Sequence, residues 1–281
     1  SIVVQPETHM AGELRALRAE RGLARRCTPW WRTVVTVAML ATRSRRQRRD
    51  LRHVALLVAI STDFGQQVAA DNDYPLRQVV TVPNPVDCDY FQPAARPRGG
   101  NERVLFAGRI STRKGIDVLL AVARRLEQDR PGAEVVIVGG GSLWSDYRGL
   151  LQDLPANTTY RGAIAREELR TELQRADVLL QPSTYEPFAL TAAEALACGT
   201  PVVSTDVVGA TEGAPTAACR RVPVNDAAAM AEATCALLDE TSTTAGEGRA
   251  RAAARAHAVA TFDRRLVAAA VVDALSTVAV R

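Results

Sequence analysis

Apolar residues follow two rhythms along this chain. Short runs rich in apolar or β-branched residues, at 54–60, 103–107, 134–138, 158–161, 177–181 and 201–204, alternate with longer stretches where apolar positions recur every three or four residues. The runs read as strands covered on both faces. The longer stretches read as helices with one face on a core. Helices are expected at 62–71, 115–128, 142–151, 166–175, 188–198, 228–240 and 262–278. The segment 250–260 is a helix or partly mobile, and 241–248 is a loop. Near the start, 2–4, 25–28 and 78–82 are strand-like and 11–21 has helical spacing. Strands alternating with helices imply βαβ units and parallel sheets.

A Pro/Gly/Arg-rich stretch at 92–100 punctuates this order and marks a linker. It divides the chain into a first domain at 1–90, a second at 91–260 and a closing helix at 261–281. Residues 1–82 hold only three or four strands, fewer than a doubly wound domain needs, so the first domain looks incomplete. The chain enters a strand pattern almost at once from Ser1, which points to missing upstream sequence.

Composition narrows the class. Of 281 residues, 47% are apolar and 23% charged, which excludes a disordered or fibrous chain. The net charge of +4 favours an anionic ligand and is too small to imply nucleic acid. Of the 35 basic residues 34 are arginine; the one lysine is Lys114. Five scattered cysteines (Cys27, Cys88, Cys198, Cys219, Cys235) form no CxxC pair and read as reduced thiols of a cytoplasmic protein. No apolar stretch approaches the roughly 20 residues of a membrane-spanning helix.

Three turns between strands and helices carry the candidate chemistry. The first, 106–115, contains Gly108, Arg109, Arg113, Lys114 and Gly115. Helix starts at the carboxyl ends of parallel strands point backbone N–H groups at anions, so these cations build a diphosphate clamp. The bland reading is solvated loop charge, least convincing for a lone lysine between glycines. The second turn, Gly139-Gly140-Gly141-Ser142, permits close backbone approach, or is only tight. The third places Glu186 before Pro187 and a helix, with Glu194 eight residues on. At about 100° per residue their net offset is about 80°, so both can address one ligand across the helix start. The bland readings are a helix-dipole partner for Glu186 and an exposed helix carboxylate for Glu194.

The set GRISTRKG, VGGGS and YEPFALTAAEALACGTPVV, in that order, resembles retaining glycosyltransferases of family 4 (glycosyl transferases group 1) over roughly residues 50–281. The resemblance implies the GT-B fold, an α/β architecture of two Rossmann-like domains with parallel sheets facing a cleft. It implies that Arg109 and Lys114 bind the diphosphate of a nucleotide-sugar donor and that Glu186 approaches the transferred sugar. Glu194 would hold the ribose. Gly108, Gly139, Gly140, Phe188, Ala189, Leu190 and Thr191 would line the donor, with Ala163 and Ile164 near its base. No cofactor or metal is implied, because side-chain cations stabilise the leaving diphosphate. The acceptor is a glycan, lipid or small molecule.

The sequence departs from that family in places. Pro85 and Ala210 stand where it has glycine in its PNGVD and GG…E segments, and Ala189 replaces a common glycine. The glycine-rich acceptor loop is absent, and the family histidine has no clear match. His9, after a strand, reads mainly as a surface loop residue; His53 and His257 read as structural. Asp71/Asp73 and Asp87/Asp89 have D-x-D metal spacing, a weak signal. Trp30 and Trp31 read as core more readily than as sugar-stacking. The run 43–52 (RSRRQRRDLR) is a solvated helix face or an attraction to an anionic acceptor or the inner membrane face. Two other readings stay open: a nucleotide-sugar-binding subunit that needs another chain for its acceptor, and a pyridoxal-phosphate enzyme using Lys114.

Overall fold

The computed structural model describes residues 2–95, 101–142 and 145–279. The first domain runs β1 (Val3–Val4), α1 (Met10–Ala19), α2 (Arg21–Cys27), α3 (Trp30–Leu51), β2 (Leu56–Ala59), α4 (Thr62–Asn72) and β3 (Val79–Thr81). Its three strands pair in parallel in the order β1-β2-β3. Helix α4 forms where the sequence places it: Ser61 caps its start by accepting the Phe64 N–H, and Asp73 ends it in the left-handed region at φ +53°.

The second domain runs β4 (Arg103–Ala107), α5 (Ile116–Asp129), β5 (Glu134–Val138), β6 (Thr158–Tyr160), α6 (Arg166–Arg175), β7 (Val178–Gln181), α7 (Leu190–Ala197), β8 (Val202–Thr205), β9 (Cys219–Val222), α8 (Ala227–Thr241) and α9 (Thr244–Phe262). Its six parallel strands lie in the order β6-β5-β4-β7-β8-β9. Successive strands are laid outward from β4 to one side and from β7 to the other. The order therefore reverses between β4 and β7, and that reversal opens a crevice at their carboxyl ends. Helix α10 (Arg264–Ala279) returns to the first domain, where Val267 and Ala274 pack with Leu56, Val58 and Val82.

The chain crosses between domains twice, and the crossings touch. The Val86 N–H donates to the Phe262 carbonyl (2.7 Å) and the Arg264 N–H to the Val86 carbonyl (3.2 Å). Arg264 pairs with Asp87 (2.7 Å) and Asp89 (3.2 Å), and Arg265 pairs with Asp89 (2.8 Å). From the second domain, the Glu212 carboxylate accepts the Thr62 N–H (2.7 Å) and the Asp63 N–H (3.1 Å) at the start of α4. Among the described residues no helix is long and apolar enough to cross a membrane.

Several expectations are corrected. Residues 25–28 are not a strand: 25–27 end α2, whose Ala24 is buried in the fold. Only Arg148–Leu151 of the helix expected at 142–151 is helical, as a 3₁₀ turn, and residues 143–144 lie outside the described set. The loop expected at 241–248 gives way at Thr244 to α9, whose start Thr243 caps. Strand β9 went unread because an edge strand of sequence CRRV carries no apolar run. Trp30 and Trp31 are not core; they open α3 and stand 72% and 51% exposed. Residues 96–100 of the expected linker lie outside the described residues.

Candidate active site

The crevice gathers the expected site residues from far apart in the chain. After β4, Gly108 and Arg109 lead into the turn that ends at Gly115, which starts α5 at φ +62°. A β-carbon there would lie 1.9 Å from the Pro182 carbonyl oxygen, so only glycine lets this turn touch the loop after β7. Beside it, Gly139 adopts φ +144°, and a β-carbon on it would lie 1.7 Å from the Gly108 carbonyl oxygen. The Ile110 N–H donates to Gly140 (2.8 Å), and the Gly139 N–H donates to Gly162 (2.8 Å). Gly108, Gly139, Gly140 and the 162–164 loop with Ala163 and Ile164 thus form one wall.

The loop after β7 supplies the other half. Glu186, 8% exposed, forms an ion pair with Lys114 and accepts the Ser183 hydroxyl (3.4 Å). Burial pushes its carboxyl up, but Lys114 and then Arg113 outweigh burial and hold it below the usual range. The two groups that the sequence reading gave separate tasks are one pair. That pairing sets Lys114 against a carboxylate and not in an apolar pocket.

Arg113 sits at φ +63°, which costs a non-glycine residue about 1 kcal/mol or more unless its neighbours hold it. Its guanidinium Nε lies 3.0 Å from the Glu13 carboxylate, and its N–H donates to Glu20 (2.7 Å). Burial raises the carboxyl of Glu13 against Arg113, with Arg109 and Lys114 pulling it down more weakly. Arg109 is exposed and has no ion pair among the described residues. A cavity of about 180 Å³ opens here between the domains, lined by Glu13, Thr28, Arg109, Arg113, Ser142 and Ser145 among others.

Helix α7 faces the crevice with its N-terminus. Ala189 precedes it at φ +76°, a conformation that suits the glycine it replaces. The N–H groups of Leu190 and Thr191 lie in the first turn, where no intrahelical acceptor exists. The Phe188 side chain is buried edge-on against Phe262, ring centres 5.5 Å apart, and borders a cavity with Thr62, Gly209 and Glu212; its carbonyl accepts the Ala210 N–H. Glu194, on α7, is half-buried, not exposed. Burial pushes its carboxyl up to about 7, opposed only by the more weakly acting Arg166. An under-compensated carboxyl of this kind, one turn into α7, makes Glu194 a candidate site residue.

His9 does not lie in a surface loop. It is fully buried at the start of α1, 3.2 Å from Asp71. Burial outweighs Asp71 and holds the imidazole down at about 4, so it is neutral at neutral pH, and Asp71 is paired with Arg15 (2.6 Å). Asp73 pairs with Arg48. Each aspartate of the two D-x-D segments is therefore matched to arginine. Glu13, Glu20 and Glu212 were missed as site residues. One signal was present: Glu13 and Glu20 are seven apart, which puts them on one helical face.

Residues 101–240 match the family model described as glycosyl transferases group 1. Glycogen synthase from Mycobacterium tuberculosis is 32% identical over 221 residues, covering 76% of this chain and 52% of that protein. D-inositol 3-phosphate glycosyltransferase from Mycobacteroides abscessus is 38% identical over 169 residues, covering 55% of this chain and 37% of that protein. The chain spans about half the length, or less, of these curated relatives. Among solved structures, sucrose-phosphate synthase from Thermosynechococcus elongatus superposes at TM-score 0.75 with 24% identity, covering 98% of this chain and 67% of that one. Anabaena HepE, solved in complex with UDP-glucose, superposes at TM-score 0.71 with 19% identity, covering 98% and 72%. Both share the fold.

Proposed function

Residues 101–240 place this chain in the glycosyl transferases group 1 family, and from that membership we propose that it moves a sugar from a nucleotide-diphosphate donor to an acceptor, with retention and without a metal. The observation that carries the reading is the Lys114–Glu186 pair at the strand-order reversal, beside the start of α7. Arg109 and Lys114 take the donor diphosphate and stabilise its charge as the glycosidic bond breaks. Glu194 accepts the ribose hydroxyls, and charge-assisted bonds of this kind are stronger than neutral ones. Glu186 meets the sugar and orients Lys114. The backbone at 189–191 holds the sugar and phosphates, and Ala163 and Ile164 border the base. The HepE complex with UDP-glucose supports a donor of this class.

Calorimetric titration with UDP-glucose and with GDP- and ADP-sugars in EDTA tests the donor and the metal independence together. One donor is expected to bind in EDTA with micromolar affinity. Binding or transfer that requires Mg²⁺ or Mn²⁺ overturns the metal-independent mechanism. The second reading, a donor-binding subunit completed by another chain, is favoured by the three-stranded first sheet beside the six-stranded second. It predicts donor binding with no transfer to any acceptor by this chain alone.

The outer face of α3 favours a cytoplasmic site of action on the inner membrane surface. Trp30, Trp31, Val34 and Val35 are about half exposed or more, at 72, 51, 56 and 49%. At about 100° per residue, Arg45, Arg48 and Arg49 fall on the same face, Arg48 also pairing with Asp73 and Arg49 with Asp50. Thr33, Thr36 and Leu40, on the opposite face, line the cavity. A helix with exposed tryptophans at one end and arginines at the other suits an anionic bilayer surface. Flotation with phosphatidylglycerol vesicles is expected to carry the protein, and phosphatidylcholine vesicles are not. Trp30→Ser/Trp31→Ser is expected to weaken binding about tenfold. No recovery with anionic vesicles overturns the contact.

A further inference from the structure

We infer that Glu20 is a positioning residue for the donor phosphates, acting from the first domain on a turn of the second; the inference rests on the transferase reading above. Glu20 lies where α1 ends and α2 begins, so its backbone is fixed by both helices. Its side chain is spent on the other domain. One carboxylate oxygen accepts the Arg113 N–H (2.7 Å) and the Thr184 hydroxyl (2.5 Å), and the other accepts the Tyr147 hydroxyl (3.4 Å). Three segments of the second domain, remote from one another in sequence, converge on this one group.

The first of these bonds falls at a sensitive place. Arg113 immediately precedes Lys114 and holds a left-handed conformation without being glycine. Such a conformation persists only where the surroundings fix it. Its carbonyl is fixed by the Thr184 N–H (2.8 Å), and its N–H by Glu20. Glu20 also grips Thr184 through its hydroxyl, so it ties the phosphate turn to the loop that carries Glu186. When the first domain moves away these bonds go with it, and the turn loses the constraint that aims Lys114. The donor-phosphate site is thereby complete only when the domains are together.

A role in positioning and a role as mere charge predict opposite signs. Glu20 is an anion near an anion site, so by charge alone its removal tightens phosphate binding. If it positions the turn, removal weakens binding even though a repelling charge is lost. Glutamine keeps a carbonyl acceptor in the same place and therefore rescues.

The test is titration of the intact chain with inorganic pyrophosphate and with UDP-glucose, with melting temperature measured alongside. Glu20→Ala is expected to bind pyrophosphate about tenfold more weakly than the parent. Glu20→Gln is expected to bind as well as the parent or better. Thr184→Val removes one of the three bonds and is expected to weaken binding about threefold; it decides the matter if Glu20→Ala does not fold. Equal or tighter binding by Glu20→Ala, or by Thr184→Val in its place, overturns this inference alone. Glu20→Gln as weak as Glu20→Ala also overturns it. A parent chain that binds neither probe overturns the transferase reading, and this inference with it.

Discussion

Lys114→Ala is expected to lower sugar transfer by roughly 10²–10³, the usual loss when one fixed donor to a developing anion is removed, about 3–4 kcal/mol. It is also expected to destabilise the fold. Glu186 is buried against that ammonium, and stripping one partner from a buried pair costs about 3–5 kcal/mol because the other charge is left uncompensated. The two effects separate in the double variant Lys114→Met/Glu186→Gln, which removes both charges of the pair. It is expected to recover most of the lost melting temperature and none of the transfer. Denaturant melts with donor titration on both variants read the two effects apart. Unchanged nucleotide affinity and turnover in Lys114→Ala would refute the phosphate clamp.

The second large effect is on pH. The Glu194 carboxyl is held up at about 7 by burial, so in the free protein it gains its charge only near neutrality. The sign follows from linkage. Between the ordinary glutamate value and about 7 the folded chain binds the proton that the unfolded chain has released, so this group's contribution to stability declines as pH rises through that window. Its affinity for a ribose diol moves the other way, because only the carboxylate accepts two strong hydrogen bonds. Affinity for UDP-glucose is expected to rise about tenfold between pH 6 and 8. A nucleotide sugar is the right probe, since its diphosphate has no terminal phosphate to titrate there. Glu194→Gln is expected to flatten the profile at the weak end. A parent profile already flat across that range would remove Glu194 from the ribose site.

The second domain was legible because parallel strands buried on both faces must be continuous apolar runs. Val135, Val136, Ile137 and Val138 of β5 announce themselves for that reason. The first domain was less so. Residues 25–28 look extended, yet Ala24 is buried and Arg25 and Arg26 are turned to solvent along α2, a tertiary choice that local preference does not encode. The turn glycines and Lys114 were visible as a motif. Their pairing with Glu186 was not, because 72 residues separate the two and only the strand-order reversal brings them together. His9 was misplaced because a polar residue after a short strand reads as surface. Here Phe64 stands edge-on to its ring, Asp71 lies beside it, and the site is closed to water.

The two passages of chain between the domains, near Val86 and near Phe262, are hydrogen-bonded to each other and lashed by Arg264 and Arg265 to Asp87 and Asp89. Two tethers fastened side by side leave two rigid bodies little freedom to slide or separate. Side-by-side crossings of this kind are where a hinge between two domains would lie. The Glu212 carboxylate on the start of α4 and the Glu20 carboxylate on the phosphate turn both bridge the two domains. A rotation about this fastening that opened the cleft would have to break the bonds Glu20 makes to Arg113 and Thr184 across the two domains.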